Sequence, residues 1–280
     1  MQPRTRIVAV ALVATSIAAG PALAQEAGSA ASAEQQMVMP GSRFLVQAFF
    51  EASLSKDNAF KPFSLAPDLW YGVNDQITVG LVHSGRGSTG LYGGAGNGLC
   101  LAGEDNGCAD VYANVGIDGR YHFYRSGGMT LSAEGGLFAG PFDPFTAALK
   151  LGVVGRWQAG AIALDVGPNL FAGLSEREPE GDADVAVGTN NKETLNLPVT
   201  ALYLLSQKIG LALQLGAVVP LQDTGDLYTV GISLGGQYML SEKMMVDLAF
   251  SLPMLVKGDA YEGIDAFDVR TLTVGFGYAL

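Results

Sequence analysis

From Arg43 to the end of the chain, hydrophobic and polar positions alternate with a period of two. In F-L-V-Q-A-F-F-E-A-S-L, Phe44, Val46, Ala48, Phe50, Ala52 and Leu54 share one face, while Gln47, Glu51 and Ser53 share the other and Phe49 is an exception. Similar runs recur near 65–73, 77–84, 110–123, 129–139, 147–157, 161–174, 192–204, 209–219, 227–239, 244–254 and 268–280. Period-two runs of this length, with no competing helical period, predict β-strands throughout. Counted together they make about twelve.

The connections fall into two classes. Short ones are expected at 73–76, 124–128, 158–160, 206–208 and 240–243, and longer ones at 56–62, 85–109, 140–146, 175–191, 220–226 and 255–267. Short and long alternate along the chain. A sandwich has no reason to gather its long loops at one end. An all-β, up-and-down antiparallel transmembrane barrel does, with an even strand number and short turns on the periplasmic side. In hydrocarbon only helices and closed barrels satisfy every backbone polar group. Twelve strands place both termini on the periplasmic side.

Composition fits this reading. The chain is 49% hydrophobic and only 15% charged, against roughly a quarter charged in ordinary soluble domains. Arg4 and Arg6 precede an apolar run over residues 7–20, and Ala22 and Ala24 occupy small-residue positions before Gln25. The run is too short to span a bilayer comfortably and reads as a secretory signal over 1–24, cleaved after Ala24. Losing the two arginines takes the formal net charge from −11 to about −13. Such a polyanion is a poor nucleic-acid binder. Residues 25–42 are small and polar and read as a flexible periplasmic lead to a barrel over 43–280.

Aromatic residues gather before the short turns: Trp70 and Tyr71, Tyr121 and Phe123, Trp157, Tyr203, Tyr238 and Tyr278. They predict a girdle of rings at a membrane–water interface. The last strand, R-T-L-T-V-G-F-G-Y-A-L over 270–280, alternates Leu272, Val274, Phe276, Tyr278 and Leu280 with smaller residues. On these residues the chain resembles Gram-negative outer-membrane β-barrel proteins of porin-like kind, over nearly all of 43–280. The resemblance implies that the barrel-assembly machinery recognises Phe276, Tyr278 and Leu280, although Leu280 stands where the family usually has an aromatic residue. It says little about substrate, because many functions share one fold.

If the apolar row faces lipid, the other row lines the lumen. It carries Glu51, Asp68, Asn114, Asp118, Arg120, His122, Glu134, Lys150, Arg156, Asp165, Asn169, Asn196, Gln214, Gln237 and Asp247. Folding each hairpin about its connection sets Asp118 opposite Glu134, Arg120 opposite Ser132, Lys150 opposite Gly136, and Arg156 diagonal to Asp165. Diagonal neighbours lie within reach of long side chains. Asp118, Arg120, Glu134, Lys150, Arg156 and Asp165 are therefore expected to form one mixed-charge patch. It serves either as ion pairs bracing the barrel or as a constriction that sorts solutes.

Other candidates are weaker. Cys100 and Cys108, a close isolated pair in an exported chain, predict a disulfide; a two-thiolate metal site would lack further ligands nearby. They pin a glycine-rich connection, the longest in the chain, that could fold over or into the mouth. His83 and Ser84 invite a lipid-modifying enzyme, with Ser88 reaching back. Adjacent strand residues point to opposite faces, however, and no orienting acid is evident. In the loop at 175–184, Glu178, Glu180, Asp182 and Asp184 could bind Ca²⁺ or bridge to lipopolysaccharide phosphates, but a solvated acidic loop is the default.

The expectation is a narrow passive diffusion channel with a mixed-charge lumen, without enzymatic activity or cofactor. Its expected partners are outer-membrane lipids, lipopolysaccharide, the assembly machinery and small solutes. The alternative is a closed structural barrel acting through outer loops 85–109 and 175–191.

Overall fold

The computed structural model describes residues 39–55, 59–103, 108, 110–143, 145–175, 193–222 and 224–280. Its strands are β1 (Phe44–Ser53), β2 (Phe63–Asn74), β3 (Ile77–Val82), β4 (Leu99–Ala102), β5 (Val115–Ser126), β6 (Met129–Phe142) and β7 (Phe145–Ala159). They continue as β8 (Ile162–Val166), β9 (Asn169–Gly173), β10 (Thr194–Leu204), β11 (Ile209–Pro220), β12 (Thr229–Met239), β13 (Met244–Lys257) and β14 (Thr271–Ala279). Every pairing is antiparallel, and β1 pairs both β2 and β14, so the sheet closes with no free edge.

The fourteen strands make twelve crossings of the wall. β8 and β9 are one crossing interrupted at Gly167 and Pro168, both flanked by β7 and β10. β3 and β4 share another: β3 pairs the lower half of β2 and β4 the upper half. Between them the chain leaves the wall, and this departure shapes the lumen.

The two faces divide as the alternation requires. Val46, Leu81, Ile117, Leu137, Leu151, Leu213 and Leu234 are exposed outside, whereas Glu51, Asp68, Asp118, Glu134, Lys150, Arg156, Gln214 and Asp247 are buried inside. Phe49 is buried with the inward row, which accounts for its breaking the outer pattern.

Two details of register differ from expectation. The connection at 124–128 is a two-residue turn at Gly127 and Gly128, with Ser126 paired to Met129. Both glycines have positive φ, 57° and 80°, as a turn matching the right-handed twist of its strands demands. A bulge between His122 and Tyr124 then sets Asp118 opposite Gly136 and Arg120 opposite Glu134. Likewise Gly160 and Ala161 form the next turn, placing Arg156 directly opposite Asp165 rather than diagonal to it. The connection expected at 140–146 is also shorter, since β6 reaches Phe142 and pairs it with Phe145 of β7.

At the short-turn end, residues 39–42 are docked rather than free. Met39 N donates to Thr78 Oγ1 at 2.7 Å, and its side chain is buried beside Leu45, Trp70 and Met245. Residues 1–38, with the expected signal segment and most of the lead, lie outside the described residues.

Candidate functional site

After Val82 the chain turns inward. Ser84 caps a five-residue helix, α1 (Gly85–Thr89), by accepting from Gly87 N at 2.9 Å. Asp68 of β2 anchors the bend: Ser84 Oγ donates to its Oδ2 at 2.5 Å, and the backbone N–H groups of His83 and Ser84 donate to its Oδ1 at 2.8 and 3.0 Å. The segment then crosses to the far wall. Thr89 O accepts from Asn169 Nδ2 at 2.9 Å, and Gln214 of β11 grips the next turn. Its Oε1 accepts from Tyr92 N at 2.7 Å, while its Nε2 donates to Gly90 O at 2.8 Å.

The wall is shaped to receive this plug. A Cβ on Gly216 would lie 2.0 Å from Leu91 Cδ2, so only glycine leaves room for that side chain. The return path is fixed by Gly96 N to Ser64 Oγ and Asn97 Nδ2 to Glu51 Oε2, each at 2.9 Å, and by Gly98 N to Asn114 Oδ1 at 2.7 Å. β4 then rejoins the wall, where the Cys100–Cys108 disulfide ties it to the segment leading into β5.

The plug divides the lumen. Toward the short turns lies a cavity of about 220 Å³, lined among others by Trp70, Arg86, Arg120, Lys150, Arg156 and Asp247. Toward the long loops lies one of about 490 Å³. Tyr92 and Gln214 line both.

The six expected lumen charges all face inward, but as two groups. Lys150 Nζ lies 2.9 Å from Asp118 Oδ2 and 3.2 Å from Glu134 Oε2, and Arg120 Nε is 3.6 Å from Glu134 Oε2. Arg156 and Asp165 form a separate bidentate pair, with Nε to Oδ1 at 2.6 Å and the second bond from Nη2 to Oδ2. A third pair was not foreseen: Arg86 on the plug approaches Asp247 of β13 at 3.6 Å and lies over the rings of Tyr92 and Phe49, 4.8 and 5.7 Å from their centroids. The only hint in the sequence was a lone cation inside a glycine-rich loop.

The aromatic set needs one correction. Tyr71, Tyr121, Trp157, Tyr203, Tyr238 and Tyr278 lie on the outer face, paired near the short turns with residues such as Ile77, Leu164, Ile209 and Met244. Trp70 does not. It is buried inside the barrel, with the Arg120 guanidinium 4.7 Å from its ring centroid. Trp70 and Tyr71 are strand neighbours and must point to opposite faces, so only one can be external.

His83 and Ser84 are not brought together as a reacting pair. The His83 ring meets the Pro67 carbonyl through Nδ1 and Tyr112 Oη through Nε2, the latter at 2.7 Å. Ser84 and the acid Asp68 instead hold the helix start, and Ser88 Oγ donates to Ser84 O at 3.0 Å. The acidic candidates Glu178, Glu180, Asp182 and Asp184 lie outside the described residues. Phe276, Tyr278 and Leu280 sit at the closing seam, where Leu280 N donates to Phe44 O at 2.9 Å.

No protein-family model and no curated protein sequence matches the chain. Solved structures do match in shape. The NanC porin aligns over 85% of this chain and 100% of its own, with a TM-score of 0.56 and 8% identity. The KdgM porin aligns over 84% and 98%, with a TM-score of 0.53 and 7% identity. The chain has a porin fold. An outer-membrane channel from Pseudomonas putida F1 is also similar, covering 87% of this chain and 97% of its own at a TM-score of 0.51 and 10% identity. At such identities the likeness concerns the porin fold alone, and the lining residues of this porin-type barrel must be read from its own chemistry.

Proposed function

We propose that this chain is a narrow, passive diffusion channel of the bacterial outer membrane, with its termini on the periplasmic side and no enzymatic activity. The observation that carries the reading is the meeting of two cavities, one from each end, at Tyr92 and Gln214. Between them lies a loop whose Gly90 and Tyr92 are held by hydrogen bonds to the Gln214 side chain. The fold's likeness to porins and to an outer-membrane channel agrees with this.

Charges of both signs around the lower cavity would sort solutes by local field rather than by net charge. Tyr71, Tyr121, Trp157, Tyr203, Tyr238 and Tyr278 serve as the periplasmic girdle. Outer-membrane lipid, lipopolysaccharide and the barrel-assembly machinery are the expected partners. A hydrolase around His83 is disfavoured because Tyr112 and Pro67 occupy both ring nitrogens.

The inward plug favours one competing reading, a closed structural barrel acting through its outer loops. Single-channel recording in planar bilayers separates the two. Discrete conductance with measurable ion selectivity is expected. Absence of conductance at every voltage overturns the channel in favour of the closed barrel.

A further inference from the structure

We propose that the cavity at the long-loop end is a binding site for an uncharged, hydroxyl-rich solute of small-saccharide size. The register builds it. Ser53 stands opposite Thr271, Thr271 opposite Ser251, Ser251 opposite Ser233, and Ser233 opposite Gln214. Each step crosses one strand, so hydroxyl and amide groups recur about 4.8 Å apart along the inner wall. Because directly paired residues on tilted strands climb around a barrel, this row rises from the plug's latch at Gln214 to the outer mouth at Ser53.

The chemistry of the row is neutral. Among the described residues, the charged side chains lining this cavity are Lys61 and Asp268, both in connections rather than strands. The lower cavity differs, being lined by four cations and four carboxylates: Arg86, Arg120, Lys150 and Arg156 with Asp68, Glu134, Asp165 and Asp247. A charged solute seated against the strand row would exchange its hydration for neutral hydroxyl and amide groups, which is unfavourable. A polyol gives and takes hydrogen bonds as hydroxyls do.

Two further observations point to a ligand. Thr271 lines this cavity and its buried Oγ1 has no hydrogen-bond partner among the described residues, whereas Ser251, equally unpaired, does not line the space. Buried polar groups are ordinarily paired, and an unpaired one carries a desolvation cost that a ligand hydroxyl removes. The rings of Tyr92 and Tyr261 also line the space, offering apolar faces of the kind a sugar's C–H surface contacts. The volume of about 490 Å³ falls within the roughly 300–1,000 Å³ range of small-molecule sites.

The proposal deepens the channel reading and rests on it for its physiological role, so binding is measured apart from conductance. Saturation-transfer NMR on the full barrel in detergent compares glucose with glucuronate, which differ by one carboxylate. Glucose should bind and glucuronate should not. In the double variant Ser233→Ala and Thr271→Val, glucose binding should weaken at least about five-fold, as the loss of two neutral hydrogen bonds implies. Equal binding of glucuronate, absence of glucose binding, or unchanged binding in a folded variant overturns the site. The wild-type comparison decides the matter alone if the variant fails to fold. Glucose binding by a barrel that never conducts supports the site while overturning the channel; conductance without glucose binding does the reverse.

Discussion

Gln214 holds Tyr92 from the opposite wall: its Oε1 accepts from Tyr92 N at 2.7 Å while its Nε2 donates to Gly90 O at 2.8 Å. One side-chain amide thus pairs the two successive peptides that flank Leu91 in the middle of the lumen. Gln214→Leu removes both bonds with little change in volume. At roughly 0.5–1.5 kcal/mol each, their loss should shift the plug toward release by about five- to 150-fold. Open probability in planar bilayers should rise accordingly. An unchanged gating pattern contradicts the latch.

Steric release should converge on the same phenotype. Gly216→Val places a methyl-bearing carbon where Leu91 Cδ2 now sits, since even a Cβ would come within 2.0 Å. Leu91 must give way, by turning its side chain out of the wall or by carrying the plug with it, and either loosens the plug's seat, so conductance should increase. Leu91→Ala in the Gly216→Val background restores room and should return conductance toward the parent value. Failure of that rescue would show that the glycine acts on the wall, not through the plug.

Lys150 carries the sharpest stability prediction. Its ammonium is buried between Asp118 at 2.9 Å and Glu134 at 3.2 Å. Removing one partner of a buried ion pair typically costs about 3–5 kcal/mol, because the remaining charge is left uncompensated. Lys150→Met leaves two carboxylates on the wall, with the Arg120 guanidinium 3.6 Å from Glu134 beside them. The folded fraction in urea titrations should fall clearly. Adding Asp118→Asn and Glu134→Gln should recover most of the loss, and no recovery would contradict a charge-based origin.

How far the sequence could be read follows from what leaves a periodic mark. Strand faces do: the alternation around Gln47 and Glu51 predicted the inward row. Register leaves a fainter mark. It failed by two residues at Asp118 because a Gly127–Gly128 turn and a bulge at His122 replace the five-residue loop that the glycines suggested. Trp70 was misplaced because two adjacent aromatics were assigned to one face. The plug left no periodic mark. Gln214 and Tyr92 are 122 residues apart, and nothing in a glycine-rich loop specifies which wall it will meet.

The closing seam gives the last prediction. Leu280 N donates to Phe44 O at 2.9 Å, and Phe44 N donates back to Leu280 O at 3.4 Å, so the final residue's backbone completes the β1–β14 pairing. Its side chain is exposed outside, in line with Phe276 and Tyr278. Leu280→Phe therefore adds a ring on the outer face without touching the lumen, and assembly should be unchanged or improved. Leu280→Pro keeps an apolar side chain but deletes the donor N–H, and should slow closure. Heat-modifiable mobility on gels, which separates folded from unfolded barrels, reads both variants. Impaired assembly of Leu280→Phe would mean that the seam tolerates only the small terminal side chain, and that Leu280 acts through its shape and not through the backbone bonds it makes.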